Sequence, residues 1–284
     1  MTFLSRLQTP GPLLTAELRP PRMGQSQNAS IDAWFAMNAT IQGLAATETP
    51  LFLTDGAVGS SEEENLHHLV TNLDESVPRD LVCPFLTTKH TLEYCLWYAA
   101  RAVESGASAI TVLGGDKGVG APRCVPHGYQ LRQQIRERYP SLALGGWANP
   151  HADPTRQVAF LTDPGATADF YLTQLVSHHD LPAIDAFLAE RDRQGLDLPS
   201  IFGVFFYRSA RKKTLLRLAK FFEVPVEGII ADFAEGLTAE AVCARTIIAL
   251  RKRGIDKVYV SNLDTDLAPL QLAKIQRAIR KSSA

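Results

Sequence analysis

Eight short apolar segments, each followed by a longer stretch of helical periodicity, constrain this chain more than any other feature. The segments are Leu13–Leu18, Leu51–Thr54, Leu81–Thr87, Ala109–Leu113, Leu142–Trp147, Asp169–Gln174, Ile201–Phe206 and Val258–Asn262. Helical stretches are expected at 30–46, 60–73, 92–104, 126–139, from about Pro154, 181–193, 210–222, 238–253 and 267–279. Strands that alternate with helices of this length predict a parallel sheet. Eight such units in 284 residues predict closure into a (β/α)8 TIM barrel, with the whole chain, 1–284, as one domain. An open sheet would expose edge strands, and the one edge-like mark is Pro84 inside the third strand.

Composition excludes several classes of function. Twenty-nine basic against thirty acidic side chains leave a formal net charge of −1, which provides no field for nucleic acid or an anionic membrane. No run of eighteen apolar residues is present and Met1–Gly11 lacks a secretory pattern, so a cytoplasmic location without membrane attachment is expected. Cys83, Cys95, Cys124 and Cys243 have no CxxC spacing, which favours free thiols over a disulfide framework or a zinc site. Adjacent histidines, His67–His68 and His178–His179, are expected to point to different faces and not to share a metal, so no metal site is assigned. The glycine-rich run Gly114–Gly120 matches neither GxGxxG nor GxxxxGK[ST]. The oligomeric state is left open, a homo-oligomer included.

In a closed parallel barrel the chemistry sits where strands end. Three polar residues fall there: Glu17 after the first strand, Asp116 after the fourth and Gln174 at the end of the sixth. Period-two alternation sets Thr15 and Glu17 on one side of their strand and Leu14, Ala16 and Leu18 on the other, so Glu17 faces the barrel mouth. Taken singly, Glu17 also fits a salt bridge to Arg19 or Arg22, Asp116 a turn cap, and Gln174 a partner for backbone groups at the rim.

Here the sequence resembles the methylenetetrahydrofolate reductase family. The resemblance rests on Thr15-Ala16-Glu17-Leu18-Arg19-Pro20-Pro21, Leu113-Gly114-Gly115-Asp116 and Ala168-Asp169-Phe170-Tyr171-Leu172-Thr173-Gln174-Leu175. Weaker echoes are Gly146–His151, Pro199–Phe202 and Val260–Asn262. It implies reduction of 5,10-methylenetetrahydrofolate to 5-methyltetrahydrofolate with NADH or NADPH. Glu17 would be the acid that opens the substrate's five-membered ring, and Asp116 and Gln174 would hold the pterin. Tyr207 would stack on the folate and Arg208 would meet its glutamate tail. Hydride adds to a carbon that must first be made electron-poor, so a proton donor and a fixed anion suit this chemistry. A carboxylic acid serves near neutral pH when burial holds its proton.

The chain departs from the family at the flavin. Phe85, Gly114 and Asp55 stand where the family commonly has histidine, arginine and tyrosine, and Arg156 is the only basic residue between Pro154 and Gly165. Diphosphate binding wants positive charge or clustered amides. The expectation is therefore that FAD is absent and that the nicotinamide nucleotide occupies its place and gives hydride directly to folate. Asp55, Phe85, Trp147 and His151 are the candidate contacts for the nucleotide. Two alternatives stay open: a conventional FAD-dependent reductase, and a folate- or nucleotide-binding paralogue without the chemistry.

Overall fold

Eight parallel strands close into a barrel in chain order, the first pairing with the last, so the open-sheet alternative and its edges are removed. The structure is a computed structural model that describes residues 1–55, 65–66, 73, 75–115 and 120–283. Asp116, the His67–His68 pair and the helix start expected at Ser60 and Glu63 lie outside the described residues.

The strands are β1 (Leu13–Leu18), β2 (Leu51–Leu53), β3 (Val82–Thr87), β4 (Ala109–Leu113), β5 (Ala143–Ala148), β6 (Phe170–Val176), β7 (Ser200–Phe205) and β8 (Lys257–Ser261). The described helices are α1 (Phe3–Gln8), α2 (Gln27–Ala45), α3 (Leu92–Glu104), α4 (Gly128–Arg138), α5 (Pro154–Thr162), α6 (Leu181–Arg193), α7 (Lys212–Leu218), α8 (Val226–Ala234), α9 (Ala239–Arg251) and α10 (Ala268–Ser283). Side-chain caps start several of them: Ser26 accepts from the N–H of Ala29, Thr91 from Tyr94 and Thr238 from Ala241.

Alternation along the strands divides the apolar residues into two layers. Leu14, Ala16 and Leu18 of β1 pack outward with Ile41 and Leu44 of α2 and with Ile275 of α10. The inner layer is aromatic: Phe52, Phe85, Phe170 and Tyr259 meet inside the barrel, with Phe52 to Phe85 at 5.5 Å and Phe52 to Tyr259 at 5.9 Å between ring centroids.

Two helices were not expected. Helix α1 has six residues, too short to carry a period, and plugs the N-terminal end of the barrel with Phe3, whose ring lies 5.4 Å from Phe52 and 5.8 Å from Phe170. Helix α8 follows Pro225 and contains Gly228, two residues that read as a loop. Pro84 is not an edge marker. It sits inside the barrel wall opposite Leu53, and the Nδ2 of buried Asn65 donates to the carbonyls of Leu53 and Phe85 at 3.2 and 2.9 Å. The seam between β2 and β3 is thus closed at its end by a side-chain amide, which Tyr98 holds through a 3.0 Å hydrogen bond.

Candidate functional site

The C-terminal ends of the strands surround a cavity of about 700 Å³, within the usual range for a small-molecule site. Glu17 of β1 enters it from one wall. The residue is 9% exposed and its Oε1 accepts a 2.6 Å hydrogen bond from Ser261 Oγ of the neighbouring β8. Burial is the largest influence and raises the pKa of Glu17 above the usual carboxylate value; the charge of Arg19 and the bond from Ser261 oppose it. The group is therefore disposed to keep a proton at higher pH than a solvated glutamate.

Gln174 reaches the same cavity by a different device. The register between β6 and β7 shifts from Leu172 opposite Ile201 to Leu175 opposite Gly203, which places one extra residue on β6. Such a bulge re-aims side chains, and here Gln174 and Leu175 both line the cavity. The bulge is held in three places. Thr173 Oγ1 accepts from Gly203 N at 3.1 Å, Tyr259 Oη donates to Thr173 O at 2.7 Å, and Gln174 Oε1 accepts from Leu175 N at 2.9 Å. Gly203 is required by close approach, since a Cβ there would lie 2.4 Å from the Tyr259 hydroxyl.

Phe85, Trp147 and Asp55 line the same cavity. Asp55 is committed to the protein: its Oδ2 accepts from Thr87 N at 2.7 Å and Thr87 Oγ1 at 2.8 Å, and His90 Nε2 lies 2.8 Å away. It ties the exit of β2 to the exit of β3.

Three expected contacts lie off the cavity lining. Tyr207 is 6% exposed and packs on Phe205 at 4.9 Å, among Leu215, Val224 and Ile229. The chain beyond β7 turns its ring under α7 and α8. Arg208 donates to the carbonyls of Asn262 and Leu263 and pairs with Asp264 at 3.3 Å, so it braces the loop after β8. His151 lies 3.1 Å from the carbonyl of Leu175 through its Nε2.

The lining also contains residues that strand-end reasoning did not select. Arg123, His127, Tyr129 and Arg132 come from the β4–α4 loop and α4, Gln157 and Phe160 from α5, and Arg217 from α7. The Arg123 guanidinium lies over Gly114, where a Cβ would be 3.1 Å from its Cζ, and donates to Gly115 O. The absence of a Cβ at Gly114 is thus what admits an arginine from the next loop. Arg132 is 3% exposed, donates from Nε to Ala166 O at 3.0 Å, and is lowered to about 10 by burial. Arg123 and Arg132 bring cations to the cavity from positions separated in sequence from the β5–α5 segment, where Arg156 remains the only basic residue between Pro154 and Gly165. The helical spacing of Arg132 on α4 was the one signal in the sequence; the Arg123 placement had none.

A closed eight-stranded barrel with a polar, aromatic-walled cavity at the strand C-termini defines the general class of barrel that places its site on this rim. Comparison with solved structures finds the same fold in a protein of Clostridium thermocellum described as binding two copies of 5-methyl-5,6,7,8-tetrahydrofolic acid. The two are 15% identical with a TM-score of 0.69, over 95% of this chain and 99% of that one. An aldolase called QR15 aligns at 10% identity and a TM-score of 0.50, over 94% and 96% of the two chains. No family model matches the sequence, and no curated protein matches it. Among the described residues no helix is long and apolar enough to cross a membrane.

Proposed function

We propose that the barrel mouth binds a reduced folate and that the protein reduces 5,10-methylenetetrahydrofolate to 5-methyltetrahydrofolate, taking hydride directly from NADH or NADPH. The observation that carries this reading is Glu17, a buried carboxyl with a raised pKa, sharing one cavity with Gln174 and an aromatic wall. A folate-binding barrel of the same shape in Clostridium thermocellum supports it.

In this reading the proton of Glu17 passes to N10 of the substrate, the bond from N10 to the bridging carbon breaks, and an iminium forms between that carbon and N5. Hydride from C4 of the nicotinamide then adds to the bridging carbon, giving the methyl group and the oxidised nucleotide. Ser261 holds the carboxyl in place, and Gln174 meets the pterin edge. Asp116 is assigned to the pterin from the resemblance alone. Arg217, which lines the cavity where Arg208 does not, would meet the glutamate tail.

The wall formed by Arg123, Arg132, Trp147 and Phe160 offers cations and rings to a dinucleotide. Nicotinamide and flavin dinucleotides both carry a diphosphate and a stacking ring, so these residues fit either. When bound, a flavin would supply hydride relay in place of direct transfer. That second reading is favoured by the two arginines, and the test separates it. Purified protein is mixed with 5,10-methylenetetrahydrofolate and NADH or NADPH, with and without FAD, and product is measured by mass. Turnover without flavin, with kinetics that require both substrates bound together, is expected. A yellow protein with ping-pong kinetics overturns direct transfer, and folate binding without nucleotide oxidation overturns the reductase.

A further inference from the structure

At the same end of the barrel but outside the cavity lining, the loop between β6 and α6 brings two adjacent histidines onto one carboxylate. His178 Nε2 lies 3.1 Å and His179 Nε2 2.9 Å from the same Asp232 Oδ2 of α8. The ring centroids of the two histidines are 4.0 Å apart. Neighbours alternate sides only in an extended strand. Here the chain has left β6 and turns, Asp180 N bonding Ser177 O at 3.0 Å, so both rings fall on one side. The expectation that adjacent histidines diverge fails for this reason.

We propose that His178, His179 and Asp232 form a binding site for one first-row divalent transition-metal ion, zinc in particular, that fastens the β6–α6 loop to α8. The geometry of the cluster supports it. The three ligand atoms lie within 4.8 Å of one another. In a tetrahedral site with bonds of roughly 2.0–2.1 Å, neighbouring ligand atoms sit roughly 3.3 Å apart, and the two imidazole-to-carboxylate distances, 3.1 and 2.9 Å, already approach that spacing. His178 is 9% exposed in its side chain, yet its Nε2 has no hydrogen-bond partner although Oδ2 is near. Two ligands of one tetrahedral ion have this relation, because each points at the ion and neither at the other.

The supporting groups are also in place. Thr246 Oγ1 of α9 lies 2.8 Å from His178 Nδ1, the outer nitrogen, as a hydroxyl that orients a ligating imidazole does. Arg245 holds the other oxygen of Asp232, Oδ1, at 2.6 Å and leaves Oδ2 facing the histidines. His179 is 27% exposed in its side chain, which gives an ion access and leaves room for a water as fourth ligand. Helix α8 approaches that ring flush at Gly228, where a Cβ would lie 2.7 Å from the imidazole. Two imidazoles with one carboxylate select zinc-like ions over magnesium or calcium, which prefer oxygen ligands.

The experiment uses the untagged full chain, stripped with chelator and titrated with Zn²⁺ by calorimetry, and with Co²⁺ by visible absorption. One equivalent of Zn²⁺ is expected, with a melting temperature that rises with free zinc. The Co²⁺ adduct should show tetrahedral nitrogen and oxygen ligation. His179→Gln, at the most exposed of the three positions, should abolish the tight phase, and Thr246→Val should weaken it roughly 10- to 100-fold. Cys124→Ser should leave it unchanged. Absence of a stoichiometric site in the stripped wild type, thiolate bands in the Co²⁺ spectrum, or equal zinc uptake by His179→Gln overturns the proposal.

Discussion

The two ends of the barrel are closed by opposite chemistry. At the N-terminal end α1 seats Phe3 and Leu7, 0% and 3% exposed, against the inner aromatic layer. Phe3 N donates to Ser108 Oγ at 3.0 Å, and Arg6 pairs with Asp80 at 2.9 Å, so the plug is apolar inside and tied at its rim. At the C-terminal end the same layer stops below a cavity into which a carboxyl, a glutamine and arginines project. Apolar area that could have been buried is left open there, and Glu17 is held in surroundings that oppose its charge. One end of the barrel therefore contributes stability, and the other gives some up for a binding site, as strained or desolvated groups at such sites do.

The largest expected effect tests that division at the mouth. Glu17→Gln keeps the shape of the side chain and removes the proton donor, so turnover should fall roughly 10²- to 10⁴-fold while folate binding measured by calorimetry persists. Undiminished turnover would remove Glu17 from the acid role. At the other end, Phe3→Ala should cost roughly 3–5 kcal/mol of stability, read by thermal or urea unfolding, with activity per folded molecule unchanged. A loss of activity larger than the loss of folded protein would break the comparison.

The pH dependence sharpens it. Because the pKa of Glu17 is raised in the folded state, the folded protein binds this proton more tightly than the unfolded chain does. The associated stability is present in full below the ordinary carboxylate value and is lost as pH rises through the raised one. Turnover should fall over the same rise, since the acid form is the active one. Glu17→Gln should melt higher than the wild type by a margin that widens with pH; a constant margin would show that the carboxyl is not desolvated. The smallest effect is expected at Gln174→Ala. Loss of a hydrogen bond worth roughly 0.5–1.5 kcal/mol should raise KM roughly two- to tenfold with kcat little changed.

Much of this molecule was legible before folding. Eight apolar segments in alternation with helices fixed the barrel, because a parallel strand must be crossed over and covered before the next can pair. Period two set the direction of Glu17, because Leu14, Ala16 and Leu18 need the helix layer and the carboxyl takes the side that remains. Helices α3 and α6 fall at the bounds their periodicity predicts, Leu92–Glu104 and Leu181–Arg193.

Tertiary structure alone decided the rest. The Ser261 bond to Glu17 depends on β8 closing against β1, 244 residues apart in sequence. Gln174 owes its aim to a bulge that period-two reasoning does not contain, and Tyr207 lost its expected place because the chain turns after β7. Arg123 reaches the mouth through space that Gly114 leaves empty. His178 and His179 converge because a turn replaces the alternation of the strand. A local pattern dictates which way a side chain leaves the backbone while the backbone is regular. Where strands end and loops begin, the direction is set by what packs against it, and that is where this protein keeps its polar chemistry.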